Sequence, residues 1–130
     1  MHTTDVSTII DMTSSDVQLV SHHGITEIYF PSNSTNEIKS EALNNYLSSL
    51  VSGSKDSKIY LIGHTDNLGD EDANKSLSLL QANTVKDQLI KFGMPATNIA
   101  CEGRGSSSPK VNNSTEENRA LNRRVEVKVQ

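Results

Sequence analysis

Tryptophan is absent from the 130 residues, cysteine occurs once, and only 34% of the chain is hydrophobic. The core must therefore be small and built mainly from Ile, Leu and Val, under a polar surface rich in Ser, Asn and Thr. Cys101, the lone thiol, cannot close an internal disulfide and has no neighbouring thiol for a metal site, so ordinary strand packing is its expected role. No apolar run approaches the roughly 20 residues that span a bilayer. The N-terminus lacks the basic and hydrophobic regions of a signal peptide; any signal or anchor of a secreted form is expected outside this sequence, and Met1-His2 reads as an expression start. No Lys/Arg cluster occurs before the last third, and 12 basic against 16 acidic residues leave a net charge of −4. A nucleic-acid partner, which needs a concentrated basic face, is disfavoured. Gly63, Gly69, Gly103 and Gly105 have neither P-loop nor dinucleotide spacing and read as turn glycines. Ser106-Ser107-Ser108 has no nucleophile elbow or matched base, and no paired carboxylates stand at a catalytic spacing, so no enzyme is expected. His64 beside Asp66 falls short of a metal-ligand set, as does the pair His22-His23, and no metal or other cofactor is expected.

What is present is an alternation of elements within a length that suits one domain. Residues 1–24 read as an irregular lead-in or an added segment, with at most one short strand or helical turn, and 25–130 as the domain. Residues 25–30 are β-branched and aromatic and stop at Pro31, which predicts a strand. Ser34 followed by Glu37 fits a capping box. It opens a helix in which Ile38, Ala42, Leu43, Tyr46, Leu47, Leu50 and Val51 recur on one side, ending before Gly53. Residues 58–63 predict an interior strand. Ala73, Leu77, Leu80, Thr84, Val85, Leu89 and Phe92 keep the period of the longest helix, stopped by Gly93 and Pro95. A strand over 99–102, a loop over 103–113, a helical turn over 116–121 and an alternating strand over 124–129 complete the chain. The order β-α-β-α-β-(α)-β predicts an α/β sandwich with two main helices packed on a small mixed sheet.

Three stretches carry a resemblance. Leu61-Ile62-Gly63-His64-Thr65-Asp66-Asn67-Leu68-Gly69, then Asn74, Leu77-Ser78 and Ala82, resembles the central signature of OmpA-like C-terminal domains. Gly103-Arg104-Gly105 with Pro109, followed by Asn122-Arg123-Arg124-Val125-Glu126, resembles the second signature, and Phe30-Pro31-Ser32-Asn33-Ser34 the opening strand-to-loop motif. The resemblance covers residues 25–130. It implies a noncatalytic OmpA-like sandwich that binds the diaminopimelate of the peptidoglycan stem peptide, as in outer-membrane porins, peptidoglycan-associated lipoproteins and flagellar stators. It also implies a periplasmic location, tethered to the outer or inner membrane by a segment outside this sequence, with other envelope proteins as further partners.

An amino-acid end group carries an ammonium and a carboxylate, so its site needs an anionic acceptor beside cationic or N–H donors. The resemblance makes Asp66, preceded by Thr65, the ammonium acceptor and puts Asn74 near the ligand; Asn33 offers another amide at the groove mouth. The following helix start is expected to offer free N–H groups to a carboxylate. Asp66 has a plainer reading as a turn or capping residue. The family's L-S-x-x-R-A here reads Leu77-Ser78-Leu79-Leu80-Gln81-Ala82, so the carboxylate-pairing arginine is missing. Gln81 offers only neutral hydrogen bonds, a loss of about 1.5–3 kcal/mol, or roughly tenfold to a hundredfold in affinity. Arg123 or Arg124 is the expected substitute, only one of which can face the groove because alternate strand residues point to opposite sides. Either could equally be a solvated arginine or a salt-bridge partner of Glu126. Arg104 and Arg119 are weaker candidates. The expectation is wall binding that is weakened or redirected to a ligand without that carboxylate. The alternative is a protein-interaction domain of a secretion, motility or envelope assembly that has lost wall binding.

Overall fold

In the computed structural model, residues 10, 16–22, 24–30, 40–54 and 56–130 are described. Among them the order is β1 (Gln18–His22), β2 (Ile25–Tyr29), α1 (Glu41–Ser54), β3 (Ile59–His64), α2 (Glu71–Lys91), β4 (Ile99–Gly103), α3 (Glu116–Asn122) and β5 (Arg124–Val129), with a 3-10 turn at Ala96–Asn98. One sheet takes the order β1-β2-β5-β3-β4. Its β3–β4 pairing is parallel, and the other neighbours are antiparallel. The architecture is the expected α/β sandwich on a mixed sheet, and the lead-in does hold one short strand: Gln18–His22 pairs with β2 as an edge strand.

Local chemistry explains most boundaries. The box at Ser34 and Glu37 lies outside the described residues; α1 begins at Glu41, where Ser40 Oγ accepts the Leu43 N–H at 3.2 Å. The helix continues through Gly53 rather than stopping before it, because one glycine weakens a helix without breaking it. Asp70 caps α2 by accepting the Ala73 N–H at 3.0 Å, so this helix starts at Glu71, two residues earlier than its apolar period indicates. At the far end, Gly93 at φ 108° and the Met94 N–H bonded to the Leu89 carbonyl turn the chain away.

The buried face of α2 agrees with the expected one at Val85 and Leu89 and departs from it elsewhere. Ser78, Ala82, Val85 and Leu89 face the sheet, whereas Leu77, Leu80 and Phe92 are 46%, 45% and 38% exposed. Backbone proximity is the reason. Gly63 of β3 and Gly103 of β4 stand in register. A Cβ on Gly63 would lie 2.0 Å from the Ser78 carbonyl oxygen, and one on Gly103 would lie 2.6 Å from the Leu79 nitrogen. The first half of α2 thus rests on strand backbone, and a leucine there would push the helix off. Ser78, fully buried, donates to the Lys75 carbonyl at 2.8 Å and accepts the Gly105 N–H at 3.0 Å.

Strand alternation then sorts the two sheet faces. Ile28, Ile59, Leu61, Ile99, Val125 and Val127 join Leu43, Leu47, Val51, Val85, Leu89 and Met94 in the core. Cys101 packs against this cluster as an ordinary strand residue, and burial raises its thiol pKa. The opposite face carries Glu27, Tyr29, His64, Arg124 and Glu126. Two substitutions test the backbone contact: Gly63→Ala should destabilise by about 3 kcal/mol in urea unfolding, whereas Gly53→Ala, whose added methyl meets nothing within 4 Å, should stabilise by about 0.5 kcal/mol.

Candidate functional site

β3 and β5 run antiparallel with His64 opposite Arg124. The residues just beyond those strand ends, Thr65-Asp66 and Arg123, are therefore brought together. Asp66 Oδ2 accepts from Arg123 Nη1 at 2.8 Å, and Asp66 Oδ1 accepts the Leu68 N–H at 2.9 Å. The loop carrying Asp66 is held on both sides. The Thr65 N–H donates to the Gly105 carbonyl at 2.8 Å, and the Asn74 side-chain amide donates from α2 to the Leu68 carbonyl at 2.8 Å and, more weakly, to the Asp66 carbonyl at 3.5 Å. The paired side chains are not sealed in: that of Arg123 is 29% exposed and that of Asp66 11%.

Behind this pair stands a residue that sequence reasoning missed. Arg123 Nη2 donates to Glu116 Oε2 at 2.8 Å, and Arg119 Nε donates to Glu116 Oε1 at 3.1 Å. The four charges form a chain, Asp66–Arg123–Glu116–Arg119. Burial acts to lower the Arg123 pKa, but Glu116 and Asp66 outweigh it and raise it; Arg123 in turn lowers that of Glu116. Thr115 caps α3 and the Glu116/Arg119 pair has helical i, i+3 spacing, a local signal that was available. Its link to Arg123 and Asp66 was not, because 57 residues separate that pair along the chain.

The other candidates distribute as follows. Arg124 lies on the opposite sheet face, 4% exposed, 2.8 Å from Glu126 and 3.5 Å from Glu27. Arg104 pairs with Glu102 at 2.8 Å. Gln81, half-buried, shares a side of α2 with Asn74 seven residues earlier, about 10 Å along the axis. Asn33 lies outside the described residues. The start of α2 does not suit a carboxylate: Asp70 already caps it, and Glu71 and Asp72 add negative charge in its first turn. Glu71 accepts from the Ser106 hydroxyl at 2.7 Å.

On the opposite sheet face, Glu27 and Glu126 stand directly across from each other on β2 and β5, an arrangement that repels unless cations intervene. Arg124 bridges both, and Lys110 Nζ and His22 pair with Glu27. His64, 1% exposed, places Nε2 3.4 Å from Glu126 Oε1, close enough for attraction but too long for a well-formed hydrogen bond. His64 lowers the Glu126 carboxyl pKa, burial opposes, and Arg124 adds to the lowering, leaving it at about 2. For Glu27, burial raises the pKa but Lys110 and Tyr29 outweigh it, and the net shift is downward.

Residues 29–123 match the OmpA family. The chain belongs to that family. The outer-membrane lipoprotein YfiB of Pseudomonas aeruginosa is 46% identical over 70 residues, which cover 54% of this chain and 42% of YfiB. The peptidoglycan-binding protein ArfA of Mycobacterium tuberculosis is 43% identical over 74 residues, covering 57% of this chain and 23% of ArfA. The chain thus spans less than half the length of these curated relatives. Among solved structures, the peptidoglycan-associated lipoprotein of Burkholderia pseudomallei superposes with a TM-score of 0.70 at 21% identity, covering 80% of this chain and 89% of that one. At that identity the likeness bears on the fold alone.

The depressed carboxylates set the sign of an acid response. Each stabilises the fold when ionised, fully above its unfolded pKa near 4.5 and progressively less as pH falls through its lowered folded value, which for Glu126 is about 2. Thermal unfolding followed from pH 7 to pH 2 should show Tm falling below about pH 5. Glu126→Gln should lower Tm at pH 7 and flatten that fall, removing up to about 3 kcal/mol of pH-dependent stability.

Proposed function

We propose that this OmpA-family domain is a noncatalytic peptidoglycan-binding module that holds the diaminopimelate end group of the stem peptide at Asp66 and Arg123. The Asp66–Arg123 pair, 2.8 Å apart and partly open to solvent, carries the reading. A zwitterionic end group presents its ammonium to Asp66 and its carboxylate to Arg123, exchanging one ion pair for two. Glu116 keeps Arg123 in place during that exchange. Arg123 then supplies, through the Nη1 released from Asp66, the charged donor that Gln81 lacks.

In this reading Asn74 and Thr65 hold the Asp66 loop in position, and Gln81 gives a neutral hydrogen bond farther along α2. ArfA is named as peptidoglycan-binding and YfiB as an outer-membrane lipoprotein; both support a wall-binding role in the periplasm, with membrane attachment through a segment outside this sequence. Gln81 and the exposed leucines beside it favour a second reading, a protein-interaction domain that keeps the fold without the wall.

Cosedimentation with insoluble peptidoglycan separates the two. Wild type should pellet, and Asp66→Ala or Arg123→Ala should each weaken binding about tenfold or more. Gln81→Arg should strengthen it by about tenfold, equivalent to about 1.4 kcal/mol. Unchanged pelleting of Asp66→Ala rules out this site. Pelleting by Gln81→Arg but not by wild type favours the second reading.

A further inference from the structure

A Glu and an Arg one turn apart on a surface helix often contribute nothing measurable, and the Glu116–Arg119 pair alone would carry no weight. Glu116 differs in using both carboxylate oxygens: Oε1 accepts from Arg119 Nε at 3.1 Å and Oε2 from Arg123 Nη2 at 2.8 Å. Its place is fixed from behind. Thr115 caps α3 by accepting the Asn118 N–H at 3.1 Å, the Asn118 side-chain amide donates to Asn112 at 3.0 Å, and the Asn122 side-chain amide donates to the Val111 carbonyl at 2.8 Å. Arg119 Nη1 adds a bond to the Asn113 carbonyl at 3.1 Å. The seven residues of α3 are thereby tied to the loop before them, and Glu116 with them.

The consequence falls on Arg123. A guanidinium facing a single carboxylate commonly forms two parallel hydrogen bonds. Arg123 instead gives Asp66 only Nη1, and Asp66 uses its other oxygen for the Leu68 N–H. The pair in the free site is therefore joined by one charged bond and opens more easily than a forked one. We propose that Glu116 is a positioning residue for ligand exchange. It divides Arg123 between two acids, so that a ligand ammonium can take Asp66 while the guanidinium keeps a counter-ion and turns the freed Nη1 to the ligand carboxylate. This role rests on the reading of Asp66 and Arg123 as the binding pair.

The charge count agrees. With Asp66 engaged by an ammonium, Arg119, Glu116 and Arg123 together carry one net positive charge, which one carboxylate balances. Without the Glu116 charge, Arg123 in the free site would close on Asp66 with two nitrogens, and a ligand would have to break that fork first. Removing an acid near a carboxylate subsite ordinarily strengthens anion binding. Here it should weaken binding, and the opposite sign separates positioning from simple electrostatics.

NMR titration with meso-diaminopimelate reads the effect. Glu116→Gln should bind about fivefold more weakly than wild type, and in an Arg123→Ala background the same substitution should have no further effect. A ligand-free crystal structure of Glu116→Gln should show Arg123 joined to Asp66 by two hydrogen bonds. Three results would overturn the role of Glu116 while leaving the site intact. One is loss of affinity in Asp66→Ala with Glu116→Gln binding as tightly as wild type or tighter. Another is equal weakening by Glu116→Gln with and without Arg123, and the third is a crystal structure in which Arg123 keeps a single bond to Asp66. Unchanged affinity in Asp66→Ala overturns the site itself, and the role of Glu116 with it.

Discussion

Where two backbones touch, side chains have no room, and the meeting of α2 with Gly63 and Gly103 controls much of this domain. A Cβ at either glycine would fall well inside the closest approach tolerated by non-bonded atoms. The contact lets Ser78 reach the Gly105 N–H, and the Gly105 carbonyl in turn receives the Thr65 N–H. The β3–α2 loop, the turn after β4 and the helix therefore form one hydrogen-bonded unit. Asp66 sits on that unit, so its position follows from packing several residues away.

Register supplies the other half of the site. With His64 opposite Arg124, the antiparallel ladder of β3 and β5 continues naturally into the ion pair between Asp66 and Arg123. One step along β5 reverses the environment. Arg124 points to the sheet face where Glu27 and Glu126 oppose each other, and it neutralises both. Two adjacent arginines thus have separate tasks: one balances a buried acidic row, the other stands partly exposed beside Asp66 with Glu116 behind it.

The same backbone contact has an outward consequence. Because Ser78 and Ala82 occupy the sheet side of α2, the leucines at 77 and 80 are carried to the surface.

Local regularities were legible in the sequence because they depend on neighbours along the chain. The alternation of β5, the stop of α2, the strand feeding Gly63-His64-Thr65-Asp66 and the family signatures all emerge from short-range pattern. The boundary of α1 at Gly53 misled, since a single glycine lowers helix propensity without ending a helix that is packed on one side. Tertiary structure alone decided which side of α2 is buried, because helical periodicity marks where leucines recur but cannot reveal that two strand glycines draw the backbone in. It alone decided that Arg123 rather than Arg124 meets Asp66, and that Glu116 stands behind it. Those choices belong to groups distant in sequence, and only the pairing of β3 with β5 brings their charges within reach of one another.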